Sequence, residues 1–151
     1  MPTLPPTEAS DEEWRAFAEE RCEELKPHVA EFILERFTCK PRYVQQRVWR
    51  TFATVSALST QFDIYIRKFV KPNDYWPREC LVLARIGFTK ERVGHGRALV
   101  QLAPQFGYRY LAIESANANA SAFAERLGFS PRDNGRHWIG AVDAVQKALN
   151  S

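Results

Sequence analysis

Apolar residues recur every three or four positions through most of the first 60 residues, the spacing of helices with one buried face. Ser10 followed three residues later by Glu13 predicts a capped helix start, and Trp14, Phe17, Ala18, Arg21, Cys22 and Leu25 continue along one stripe. Pro27 suits the first turn of a new helix, so Val29, Phe32, Ile33 and Phe37 are expected on a second one ending near residue 38. After Pro41, the positions Tyr43, Val44, Val48, Trp49, Phe52, Val55 and Leu58 predict a third helix to about residue 59. Residues 1 to 9, with three prolines, read as an extended lead.

The period then falls to two. Phe62, Ile64 and Ile66 alternate with Asp63, Tyr65 and Arg67, which predicts a strand over residues 61 to 70. Residues 71 to 79, KPNDYWPRE, read as a loop. Beyond it the pattern predicts a strand from Cys80 to Phe88, a glycine turn at Gly94 to Gly96, a helix from Arg97 to Phe106 and a strand from Tyr108 to Glu114. A helix from Asn119 to Leu127 closed by Gly128, a strand near Arg136 to Gly140 and a helix from Val142 to Leu149 follow. Strands alternating with helices predict an α/β fold: one domain over residues 10 to 151, mainly helical to residue 60 and a mixed sheet flanked by helices from 61. A chain of 151 residues, 45% of them hydrophobic, can bury one such core.

Charge is unevenly placed. Residues 8 to 25 hold eight acidic residues against Arg15 and Arg21, a local balance of −6 that leaves +9 on the remainder of a chain with net charge +3. A basic body suits a polyanionic ligand, and Lys40, Arg42, Arg47, Arg50, Arg67, Lys68 and Lys71 interleaved with Tyr43, Trp49 and Phe69 would suit nucleic acid. No apolar run approaches the roughly 20 residues of a membrane span, and MPTLPPTEASDEE lacks the regions of a signal peptide, so a cytoplasmic protein is expected. Cys22, Cys39 and Cys80 match neither metal-ligand nor disulfide spacing and read as reduced structural thiols.

Gly94, His95 and Gly96 lie between a buried strand and a helix start, where backbone N–H groups converge and glycine admits an anion to the main chain. Arg92 and Arg97 would add charge-assisted contacts to a phosphate. A dinucleotide fingerprint needs a third glycine where Leu99 stands, and the Gly-Lys-Ser/Thr of a P-loop is absent.

With these residues in place, LARIGFTKERVGHGRALV (83 to 100) resembles motif A of the GNAT N-acyltransferases, with Gly94 and Gly96 on its glycine positions. YLAIESANANASAFAERLGF (110 to 129) resembles motif B through Asn117, Ala120, Phe123, Gly128 and Phe129. The resemblance covers about a third of the chain. It implies acetyl-CoA or another acyl-CoA as cofactor, its pyrophosphate on the backbone of Arg92, Val93, Gly94, His95, Gly96 and Arg97, and its pantetheine arm beside Arg85, Ile86 and Gly87 between two splayed parallel strands. Asn117 and Phe123 join that site, residues 10 to 60 would build the acceptor or partner side, and an amine of a small molecule or protein would be acylated by direct attack on the thioester. Glu114 and Glu79, at strand ends, are candidates to take the amine's proton, and Tyr108 and Tyr110 to protonate the thiolate. The sequence departs from the family at Glu91, an acid where glutamine or arginine is usual, and at Ala124, where many members carry tyrosine. Those departures also fit a GNAT-derived interaction protein that has lost catalysis.

Overall fold

The computed structural model describes residues 4–37, 44–48, 52–69, 76, 77, 79–88 and 94–150. Its chain order is α1 (Asp11–Arg36), β1 (Val44–Val48), β2 (Phe52–Leu58), β3 (Phe62–Phe69), β4 (Cys80–Phe88), α2 (His95–Val100) and α3 (Ala103–Phe106). It continues with β5 (Tyr110–Ile113), α4 (Ala118–Arg126), β6 (Ser130–Arg132), β7 (His137–Ala141) and α5 (Val142–Leu149). The seven strands form one mixed sheet in the order β1-β2-β3-β4-β5-β7-β6. The fold is α/β, as expected.

The N-terminal half departs from expectation twice. Residues 11 to 36 form one helix that runs through Pro27 rather than two. Its buried residues explain this, since Leu25, Val29, Phe32 and Ile33 stay in phase across the proline, and packing outweighs the hydrogen bond that proline removes. Ser10 caps it by accepting from the Glu13 N–H at 3.1 Å.

The third expected helix is instead the hairpin β1-β2. Val44, Ala53, Val55 and Ala57 are buried, an alternation on β2 that the helical reading missed. β2 lies antiparallel to β3 with Val55 opposite Ile66 and Ala57 opposite Ile64, so cross-strand pairing with an unmistakable strand decided the conformation of an ambiguous segment.

One face of the sheet, with Ile64, Ile66, Leu83, Leu111 and Ile113, packs against the helices in the main core. The other face carries a small second cluster of Trp76, Cys80, Val82, Ala112 and Ile139. Arg21 is buried in α1 because its guanidinium donates to the carbonyls of Gln105 and Phe106, which end α3. Among the described residues no helix is long and apolar enough to cross a membrane.

Cys22 and Cys80 are buried free thiols, and burial is the main cause that pushes each pKa up to about 12. The thiolate is the reactive form, so both are expected to be inert at pH 8. Cys39 lies outside the described residues; in a Cys39→Ser variant, a disulfide reagent should release no thiol signal until denaturant is added. Rapid reaction of the native protein would contradict that burial.

Candidate functional site

Only β4 and β5 run parallel, and their pairing stops early. The register holds from Cys80 opposite Tyr110 to Leu83 opposite Ile113, and the Glu114 N–H closes it on the Leu83 carbonyl at 3.2 Å. β4 continues to Phe88 paired with β3 alone. A bulge lies at the point of divergence: Tyr65 opposes Arg85 but Ile66 opposes Leu83, leaving Ala84 without an opposite residue. Bulges bend a strand, and this one turns β4 away from β5.

The gap opens into a cleft of about 1100 Å³ that passes through the sheet. That volume reaches the top of the roughly 300–1,000 Å³ range of ligand sites. Its strand walls are Leu83 to Gly87 of β4 and Ile113 to Ser115 after β5. On the helical side it is lined by Gly94 to Arg97, by Asn117 and Phe123 of α4, and by Arg126. On the other side Asp63, Arg85 and Glu114 reach it.

The cleft therefore gathers Arg85, Ile86, Gly87, Gly94, His95, Gly96, Arg97, Asn117, Phe123 and Glu114 from the sequence expectations. Arg92, Val93 and Glu91 lie outside the described residues. Glu79 and Tyr110 do not line it. Both sit at the opposite end of the parallel pair, Glu79 just before β4 and Tyr110 opposite Cys80. Tyr108 is also remote, buried against Phe17 with ring centroids 5.6 Å apart.

The glycine turn has specific geometry. Gly94 has φ of +86°, a conformation that side chains disfavour, and begins α2. A Cβ added at Gly96 would lie 3.8 Å from the Phe123 ring, so α4 packs close behind the turn. Sequence reasoning missed Arg36, at the end of α1. Its Nε donates to His95 Nδ1 at 2.8 Å, and Phe37 stacks on the His95 ring at 4.6 Å. Arg36, Arg97 and Arg126 thus bring positive charge to the turn from three helices. No local pattern links Arg36 to Gly94, 58 positions away in the chain.

The opposite mouth is built around Glu114. Its Oε1 lies 3.5 Å from the Arg67 guanidinium, and its Oε2 accepts from Trp76 Nε1 at 3.3 Å. Ser115, next along, has φ of +52° and donates its N–H to buried His137 Nδ1 at 2.9 Å, while Ala116 N–H bonds Arg136 O at 2.8 Å. These bonds to the β7 side hold the segment after β5 in a conformation that costs roughly 1–3 kcal/mol. The family's tyrosine position, Ala124, faces the core and is fully buried.

No known protein-family model matches the sequence, and no curated protein matches it significantly. The case for a function rests on the cleft and the motifs.

The nucleic-acid reading loses a member here. Lys68 is only 1% exposed, its ammonium 5.0 Å and 4.9 Å from the ring centroids of Trp14 and Tyr108, out of reach of a phosphate backbone. Lys40, Arg42, Tyr43, Trp49, Arg50 and Lys71 lie outside the described residues.

Proposed function

We propose that this protein is an acyl-CoA-dependent N-acyltransferase of the GNAT kind, with acetyl as the default acyl group. The observation that carries the proposal is the single parallel strand pair splayed at a bulge, with a glycine turn at one mouth of the gap and a fixed carboxylate at the other. An extended thioester-bearing arm needs such a slot. β4 beyond Leu83 keeps one hydrogen-bonding edge on β3 and turns the other toward the gap, as an amide-containing arm requires. Gly87 leaves open space on that edge, with nothing within 4 Å of an added Cβ. A pyrophosphate at Gly94 to Gly96 would meet backbone N–H groups and the charges of Arg36, Arg97 and Arg126.

Acyl-CoA supplies an activated carbonyl. The chain must bring an amine to that carbon and remove a proton as the C–N bond forms and the C–S bond breaks. Glu114 is the group placed for this, since both of its oxygens are oriented and it lines the cleft. The departing sulfur needs a proton afterwards, but a thiol pKa of about 8.5 makes thiolate an adequate leaving group without a dedicated acid. This lessens the weight of Ala124.

A second reading is a GNAT-derived binding protein without transferase activity. It is supported by the absence of any tyrosine among the described residues that line the cleft.

The first test is calorimetric titration with acetyl-CoA, beside a Gly94→Trp, Gly96→Trp double variant. Micromolar binding, about −8 kcal/mol, is expected and should vanish in the variant. A wild-type protein that is folded but binds no acyl-CoA overturns the proposal and leaves macromolecular partners as the subject.

A further inference from the structure

The glycine-turn mouth of the cleft is basic, but the mouth around Glu114 is balanced. Arg67 and Arg85 alternate there with Glu114 and Asp63, and Arg85 Nε pairs with Asp63 at 3.2 Å. A polyamine would find no surplus of acid on this face, and a phosphorylated amine no surplus of base. A zwitterion matches it.

Arg67 is the informative residue. Its side chain is 26% exposed, and its guanidinium lies 5.8 Å from the Phe52 ring centroid and 5.3 Å from that of Tyr65, which hold the plane of the group. A guanidinium has five N–H donors in a planar fork that matches a carboxylate, more than one contact with Glu114 occupies. The 3.5 Å between Arg67 Nη1 and Glu114 Oε1 places a carboxylate-binding group directly beside a proton acceptor. In an α-amino acid the carboxylate and the amine are attached to the same carbon.

We infer that the acceptor is a free α-amino acid, its carboxylate held by Arg67 and its amine directed at Glu114. This rests on the acyltransferase reading above. The amine nitrogen forms the bond to the acyl carbon, the sulfur leaves as thiolate, and the ammonium proton passes to Glu114 and out to solvent. The product is an N-acyl amino acid. Tyr65 and Trp76 border the place where the amino acid side chain would lie.

The test measures thiol release from acetyl-CoA with the twenty amino acids, their α-amides and their decarboxylated amines, for wild type, Arg67→Gln and Arg67→Lys. Calorimetry with acetyl-CoA accompanies each variant. An α-amide is less basic and offers more free amine at pH 8, so a preference for the acid reports the site rather than intrinsic reactivity. The acid should be favoured by about 10- to 100-fold in kcat/KM, the scale of one charge-assisted hydrogen bond. Arg67→Gln should erase the preference through KM with acetyl-CoA affinity unchanged, and Arg67→Lys should restore part of it.

Amides or simple amines turned over as well as the acids would overturn the acceptor class and leave the acyltransferase reading standing. So would an Arg67→Gln variant that keeps the preference. Acetyl-CoA binding with no turnover of any amino acid overturns the acceptor class and leaves only the cofactor half of that reading. A folded protein that binds no acetyl-CoA removes both.

Discussion

Glu114→Gln is expected to lower kcat for acyl transfer by about 10²- to 10⁴-fold, the usual contribution of a positioned general base, with acetyl-CoA affinity within about twofold of wild type. The substitution keeps the shape of the side chain and an oxygen for the Trp76 N–H. The Glu114 backbone N–H would still close the parallel pair on Leu83. What is lost is the ability to hold a proton beside the cleft. Single-turnover thiol release with saturating acetyl-CoA, paired with calorimetry, separates the rate effect from binding. A fall in rate matched by a fall in affinity would mean that Glu114 shapes the cleft without accepting a proton. Glu79→Gln supplies the comparison, because that carboxylate sits at the far end of β4. An equal loss of rate there, in a folded protein, would move the base away from Glu114.

How legible this site was depended on how local its signals are. β4 from Cys80 to Phe88 could be read to the residue, because an apolar run bounded by proline and glycine leaves few alternatives. The glycine turn and α4 were equally plain, since positive φ and an Asn117 cap are properties of one residue and its neighbours. The expected helix from 97 to 106 is divided into α2 and α3, with Pro104 in the first turn of α3, where its missing N–H costs nothing. β1 and β2 were not legible, since seven apolar positions fit helical spacing and only the edge of β3 could overrule it. The far mouth was hidden for another reason. Arg67 and Trp76 meet Glu114 from 47 and 38 positions away, and no periodicity records such a meeting. Glu79 looked like Glu114, an acid at a strand end. The two differ only in which end of the parallel pair they occupy.

That far end accounts for the largest stability effect. Trp14 is fully buried, donates its Nε1–H to the Pro6 carbonyl at 3.1 Å, and covers the Lys68 ammonium. Lys68 in turn lies 3.4 Å from the Cys80 carbonyl and near Glu79, whose carboxylate also accepts from the Thr7 hydroxyl. Burial alone would raise the Glu79 pKa, but that hydrogen bond, one from its own backbone and the charges of Lys68 and Arg109 together hold it below the ordinary value. Its stabilising contribution is therefore complete above the ordinary carboxylate pKa and is lost as pH falls through the lowered one. Trp14→Ala should cost about 3–5 kcal/mol at pH 7, because it removes a large core ring and uncovers a buried charge. Lys68→Met should cost less than half as much, since an apolar side chain of similar length removes a desolvated ion together with its partners. The double variant decides between packing and charge. If Trp14 shields the ammonium, its loss should be about 1–2 kcal/mol less than the sum of the single losses in urea titration. Strict additivity would mean that the ring contributes only its packing, and that Lys68 is held by Cys80, Tyr108 and Glu79 without it.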